Sequence, residues 1–463
     1  MISCLLILGV SASPIDIFGF GATNSSMGNT GTGTRGMEAL FLNPAGIQGE
    51  QSVLLGYSFL RTNFVDVPSV AWDSNQDGTI NELDTRLEPE VNYAPIDGMT
   101  LGIVQPMMKN ITFGLNAYFP SARLLRLNTY DSSLPSYFLY RSSLQRYGLL
   151  AGIGATVMDG VHVGIGVDLL YTAHFTLVGT LQGSVSNTEE EDPNTQTIVD
   201  LHETSLEASP AGAFILGVQW DVPYIKNLRL GAAYRMAHSN PMEVDLDLQV
   251  NGSLTGVESL NDQNLSIVAP VSLSLLDFYK PAEFRMGFAW NGLERLSVVG
   301  DLLWTQWSKA FLNTIQVSQG ELSIPMLYEE AIVVEDGNPY DLVLQDVWSF
   351  RMGTRWSWSM LNADWGIHGG VAYTTSALER YGRNMTPLEA PRFLVSSGLT
   401  VTTISPILQK PMSISMFGQW QRLMSGYVDV AYDSPQTLGS PETSQVPFGG
   451  GLVGLGMQTN VQY

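Results

Sequence analysis

The sequence predicts an all-β fold: a transmembrane antiparallel β-barrel of about fourteen strands with an N-terminal plug, or hatch, inside it. Three observations carry that prediction. Side chains alternate with period two along many segments. Charged and small residues keep to the face opposite the large apolar ones. Short turns alternate with longer polar segments along the chain.

The alternation is clearest in "WSFRMGTRWSW" (348–358), where Trp348, Phe350, Met352, Trp356 and Trp358 share one face and Ser349, Arg351, Gly353, Arg355 and Ser357 the other. "FRMGFAW", "VHVGIGVDLLY" and "LRLGAAYR" repeat it. A soluble sandwich also alternates, but its solvent face favours Lys, Glu and Thr. Here the polar face is Gly, Ser, Arg and Asp, and Trp and Tyr stand near strand ends, as in the aromatic girdle of a membrane barrel. An arginine on the lipid side near the midplane would cost roughly 2 to 4 kcal/mol, so arginines collect on one face.

Composition agrees. The chain has 463 residues, with 22 Lys plus Arg against 44 Asp plus Glu and a net charge of -22. That excludes nucleic acid, whose phosphates call for a basic surface. With 44% hydrophobic and only 14% charged residues, a disordered acidic chain is excluded too. No window approaches the ~20 apolar residues of a membrane-spanning helix.

Taken in order, "MISCLLILGVSAS" is a short apolar run ending in small residues, read as a signal peptide over 1–12 cleaved after Ala12, with an ordinary buried strand as the alternative. Residues 13–50 form the hatch, because Ile15, Ile17, Phe18, Phe20, Met27, Leu40, Phe41 and Leu42 do not belong in a disordered tail. The barrel, 51–463, places strands near 52–62, 96–105, 111–119, 146–157, 161–177, 210–221, 227–236, 282–291, 296–307, 347–359, 363–375, 392–403, 411–423 and 451–463. The terminal "MQTNVQY" puts Met457, Val461 and Tyr463 on one face and ends on an aromatic residue.

These features meet in "GFGATNSSMGNTGTGTRGMEALFLNPAGI" (19–47), with Asn43, Pro44 and Ala45, and in "KPAEFRMGFAWNGLERLSVVGDLLWTQWS" (280–308). With them the mature chain resembles the FadL family of outer-membrane transporters for long-chain fatty acids and other hydrophobic compounds. The resemblance implies a monomeric passive channel in the bacterial outer membrane. A fatty acid, alkane or aromatic hydrocarbon would be captured by extracellular loops, enter a barrel pocket gated by the hatch, and leave sideways into outer-membrane lipid. The exit would lie at a kinked third strand, here "ITFGLNAYFP", where Gly114 and Pro120 suit a break in pairing and equally a routine lumenal glycine beside a strand-ending proline. The same fold also fits a partner or shuttle component in protein secretion or surface assembly.

Candidate site residues follow. "DSNQDGTINELD" sets Asp73, Asn75, Asp77, the carbonyl of Thr79, Asn81 and Asp84 at the oxygen-ligand spacing of a calcium loop, with Gly78 at the turn; a merely acidic turn is the alternative. Hatch residues Phe18, Phe20 and Phe41 are candidates for substrate contact. Lumenal Arg285, Arg351 and Arg355 either hold a carboxylate or pair with Asp168, Asp301 and Asp364 as barrel glue. No catalytic residues are assigned, since no nucleophile elbow is present.

Overall fold

The computed structural model describes residues 21–48, 51–68, 70–72, 85–87, 95–121, 137, 140, 148–186, 198–255, 264–309, 316–317, 321–322, 332–333, 344–378, 388–430 and 444–463. The signal segment, Phe18, Phe20 and the loop carrying Asp73, Asn75, Asp77, Thr79, Asn81 and Asp84 lie outside them.

Fourteen staves make the barrel. They are β1 (Ser52–Phe64), β2 (Ile96–Met108), β3 (Ile111–Pro120), β4 (Gly148–Met158), β5 (Val161–Ser186), β6 (Ile198–Asp221) and β7 (Leu228–Arg235). The second half holds β8 (Glu283–Trp290), β9 (Leu296–Thr305), β10 (Val347–Met360), β11 (Ala363–Thr374), β12 (Arg392–Ile404), β13 (Pro411–Val430) and β14 (Ser444–Gln462). Each pairs antiparallel with the next. β14 returns to β1, from Ser52↔Gln462 to Phe64↔Gly450. Closure leaves no edge of unpaired amides, which lipid could not satisfy.

The two faces divide as the alternation predicts. On β1, Val53, Leu55 and Tyr57 are exposed on the outside, while Leu54, Ser58 and Leu60 are buried on the lumenal side. On β10, Trp348, Phe350, Met352 and Trp356 face outward. Among the described residues no helix is long and apolar enough to cross a membrane; the strands cross it.

Short connections at 109–110, 159–160, 222–227, 291–295, 361–362 and 405–410 cluster at the end where the chain terminus meets β1, the Tyr463 amide donating to the Gln51 carbonyl at 2.8 Å. Leu361 and Asn362 both take φ near +57°, the backbone of a two-residue hairpin turn. This is the periplasmic end of an outer-membrane barrel.

At the other end the strands outrun the sequence reading. About ten residues suffice to cross the apolar band, yet β5 has 26 residues and β6 has 24. A further hairpin, His238–Thr255 with Asn264–Lys280, lies parallel to the upper part of β5, from Glu243↔His174 to Thr255↔Ser186. Its strands alternate as cleanly as the staves, with Val244, Leu246, Leu248 and Val250 between Glu243, Asp245, Asp247 and Gln249. They carry one glycine, Gly252, and two aromatics, Phe278 and Tyr279, against the several in most staves, so the segment read as loop.

The hatch comprises two short helices, α1 (Ala22–Ser26) and α2 (Ala39–Leu42), and a 3-10 turn over Pro44–Gly46. It sits inside the periplasmic half of the barrel, where lumenal residues of most staves bond to it.

Candidate functional site

The glycines of the lumenal faces explain how a plug fits in a barrel of this size. A Cβ at Gly164 on β5 would collide with the Ala45 nitrogen and the Pro44 carbonyl carbon, and one at Gly217 on β6 with the Asn43 side chain. Gly154 abuts Ile47 and the Pro44 carbonyl, Gly231 and Gly287 abut Thr32, and Gly353 and Gly370 abut Met27. Bare backbone at these positions lets hatch and wall approach within van der Waals contact.

Asn43 is the central fastening of the hatch. It is fully buried, and its Nδ2 donates to the carbonyls of Thr32 (2.9 Å), Val218 on β6 (3.0 Å) and Ala232 on β7 (3.3 Å). Its Oδ1 accepts the Ala45 amide at 3.1 Å, capping the turn that Pro44 begins. Asn, Pro and Ala thus have distinct duties: the amide spans hatch and two staves, proline fixes φ for the turn, and alanine is small enough to lie on Gly164.

Polar wall residues complete the attachment. Asp301 on β9 accepts the amides of Gly31 (2.8 Å) and Thr32 (3.1 Å). Gln219 donates to the carbonyls of Thr32 and Thr34, and Gln419 to that of Ser25. Ser396 accepts from Gly28, and Ser26 Oγ bonds His368 Nδ1 at 2.7 Å. Glu38 binds the amides of Thr23 and Asn24 and the side chain of Gln458, tying α1 to the segment before α2 and to β14. Its enclosure raises the Glu38 pKa against these donors. At the periplasmic rim Arg35 pairs with Asp221 at 2.8 Å, beside the Arg229–Asp221 pair at 2.7 Å.

Of the predicted substrate arginines, Arg351 joins this fastening. Arg285 is buried and paired with Glu283, and Arg351 donates to Ser349 and to the hatch carbonyl of Asn29 at 3.1 Å. Arg355 stands beside His368 in register, within electrostatic reach of Glu38 and Asp364. Phe41 is buried under Arg235, whose guanidinium lies 4.4 Å over the ring while Nη2 donates to the Phe41 carbonyl, and Lys280 lies 5.2 Å over the same ring. Lys280 also pairs with Asp168 at 2.7 Å. Of the expected acidic partners, Asp168 takes Lys280, Asp301 takes hatch amides and Asp364 takes the Ser359 hydroxyl.

Above the hatch the lumen turns apolar. Leu60, Phe64, Ile96, Tyr118, Val347, Leu423 and Leu452 at the extracellular ends of six staves cluster with Trp307, Leu378 and Leu388 of the neighbouring connections, and Tyr137 and Tyr140 reach in from the β3–β4 connection. Phe64 stacks on Tyr137 at 4.2 Å and tilts on Tyr140 at 5.1 Å. Tyr137 Oη is held by the Gly449 amide at 2.9 Å. Within this apolar region Glu389, 1% exposed, accepts from Ser376 Oγ and from the Ala377 amide at 2.9 Å; burial pushes its carboxyl up to about 7.

A family model described as outer membrane protein transport protein (OMPP1/FadL/TodX) matches residues 11–407. The chain belongs to that family. Solved structures agree in fold. A Pseudomonas aeruginosa FadL homologue is 15% identical over 98% of each chain, with a TM-score of 0.54. The P. putida toluene transporter TodX is 14% identical over 97% of this chain and 99% of its own, TM-score 0.52. The monoaromatic hydrocarbon channel CymD is 14% identical over 96% and 98%, TM-score 0.51. No curated protein matches the chain by sequence. As a FadL/TodX-family barrel, the protein is an outer-membrane transport protein.

Of the two readings left open at the third strand, the pairing bears on Gly114 directly. The ladder runs unbroken through Gly114 on both sides, against Val104 on β2 and Gly152 on β4. Leu40 and Ile47 of the hatch lie against Gly114, at 3.3 and 3.4 Å from a Cβ placed there. Pairing with β4 ends at Tyr118, while Pro120 stays in register with Gly98 on β2.

Of the polar wall residues that hold the hatch, Asp301 was expected to pair with arginines and not with hatch amides, and Gln219, Gln419, Gln458 and Ser396 were not singled out from sequence. Their only signal was position: side-chain amides and a hydroxyl on the lumenal phase of strands that often carry glycine there.

Proposed function

We propose that this FadL/TodX-family barrel takes up hydrophobic small molecules, with aromatic hydrocarbons the leading class. The observation that carries this reading is the apolar cluster around Phe64, Tyr137, Tyr140 and Leu452, enclosed in the lumen directly above a polar-fastened hatch. Each CH₂ moved from water to such a surface is worth ~0.8 kcal/mol, so a hydrophobe would gather there whereas a water-filled pore would retard it. The stacked rings of Phe64 and Tyr137 offer the edge and face contacts that favour a planar aromatic guest. That similar structures include a toluene transporter and a monoaromatic hydrocarbon channel supports the same class. Passage beyond the cluster requires the hatch to loosen.

The test is uptake of labelled toluene and labelled oleate by a deletion strain with and without the restored gene. Restored toluene uptake is the expected result; unchanged uptake of every hydrophobe would sink the reading. A calcium ion on Asp73, Asn75, Asp77, Thr79, Asn81 and Asp84 forms part of the proposal as a brace for the first extracellular connection. Calcium should protect that segment from protease, and D73A/D77A should abolish the protection; equal cleavage of the parent with and without calcium defeats it.

A further inference from the structure

Arginines on the barrel staves sort by face, with two exceptions. Arg229, Arg235, Arg285, Arg351, Arg355 and Arg392 occupy the lumenal phase of their strands, alternating with outward residues such as Leu230, Tyr234, Phe284, Met286, Met352, Trp356 and Phe393. Arg61 on β1 is instead exposed between buried Leu60 and Thr62, and Arg422 on β13 is exposed between buried Gln421 and Leu423. Both face lipid.

The two exceptions are neighbours. Across β14, Arg61 stands opposite Val453 and Asn63 opposite Gly451, and Gly451 in turn stands opposite Arg422. Two strand spacings and a two-residue offset separate the arginines, about 12 Å between backbones, within joint reach of two guanidinium side chains. Asn63 is exposed between them, and Gly451 puts no side chain in the gap. Among the described residues neither arginine has a hydrogen-bond or ion-pair partner. The carboxylate closest in register on this face, Asp97 opposite Phe59, accepts the Tyr57 hydroxyl at 2.7 Å.

Depth identifies the environment. From Val53, the first outward residue of β1, to Arg61 the strand climbs about 20 Å along the membrane normal at the usual rise and tilt, close to the outer limit of an apolar band of about 25 Å. Snorkelling carries the guanidinium groups into the headgroup layer. Two like charges side by side repel unless an anion lies between them. On the extracellular side the anion available to a lipid-facing group is the phosphate of the outer-leaflet glycolipid, and guanidinium binds phosphate bidentately.

We propose that Arg61, Asn63 and Arg422 form a lipid-side site for the phosphates of lipid A. The site binds a structural lipid of the surrounding leaflet and is independent of the transported solute.

The test is native mass spectrometry of the full-length barrel refolded in detergent with lipid A, with lipid A stripped of its phosphates, or with phosphatidylglycerol. The parent should retain lipid A about tenfold better than the dephosphorylated form. R61Q/R422Q should lose that preference, and K109Q, altered at the periplasmic rim, should keep it. Equal retention of both forms by the parent, or an unchanged preference in the double variant, overturns the site; phosphatidylglycerol retained as well as lipid A overturns the glycolipid assignment. Should the double variant fail to show heat-modifiable migration, the single variants R61Q and R422Q and the parent's discrimination between the two lipid A forms decide the matter.

Discussion

Replacing Asn43 separates two accounts of how the hatch is held. In one, the side chain fills space; in the other, its amide hydrogens tie the hatch to β6 and β7. Asn43→Asp keeps the shape and keeps an oxygen for the Ala45 amide, but turns a second oxygen toward the carbonyls of Thr32, Val218 and Ala232, now 2.9 to 3.3 Å from a donor. Asn43→Ala removes the donor and leaves a small gap. With a net worth near 1 kcal/mol per neutral hydrogen bond, the alanine variant should lose roughly 2 to 3 kcal/mol of hatch attachment. Aspartate must be buried either charged against carbonyl oxygens or protonated at a cost, so its loss should be larger, about 3 to 5 kcal/mol. Planar-bilayer conductance reads the outcome: a loosened hatch opens an aqueous path, so open events should rise from parent to N43A to N43D. If N43D stays as quiet as the parent while N43A opens, the attachment is steric and the hydrogen-bond reasoning is refuted.

Three further outcomes are expected. Gly164→Ala sets a Cβ against the backbone of Pro44 and Ala45, which cannot turn aside, and should cost about 1 to 3 kcal/mol and raise protease cleavage within 21–48; Gly418→Ala, whose Cβ would meet only Leu455 Cδ2 at 3.5 Å, should leave cleavage at the parent's level. Asp301→Asn retains one acceptor for Gly31 and Thr32 but loses the charge, so the hatch should weaken by about 1 to 2 kcal/mol, measured as faster amide exchange at those two residues. Glu389 titrates near 7 in the folded barrel against an ordinary 4.5, so between those values the folded state holds a proton that the unfolded state has released. Its contribution is then fully present below pH 4.5 and falls as pH rises to 7, by up to about 3 kcal/mol. Urea unfolding of Glu389→Gln should be flat in pH across that window where the parent declines; identical slopes would refute the assignment.

Much of the barrel was legible because period two is a local property. Each stave declares itself in its own few residues, as Trp348 to Trp358 do, and lipid on one face with a filled lumen on the other forces large residues and charges apart. Asn43, Pro44 and Ala45 were legible as a turn and as a hatch motif. What the amide of Asn43 touches was not, because Val218 and Ala232 lie far along the chain and meet it only once the barrel has closed. The arginines show the same limit. Their face could be read, but whether Arg285 met a solute or Glu283 depended on the neighbouring charges and on a hatch backbone that comes within reach of Arg351 and Arg235.

The sequence by itself therefore determined the stave count, the division of the staves into an apolar and a polar face, the short-turn end and the presence of a plug, all of which follow from alternation and turn chemistry within a few residues. The tertiary structure alone decided why the lumenal glycines are glycine, that the ladder passes Gly114 unbroken, and that β5 and β6 rise into a hairpin beyond the membrane. Those facts depend on which backbones approach one another across the closed barrel, and close approach between distant segments leaves no period in the chain.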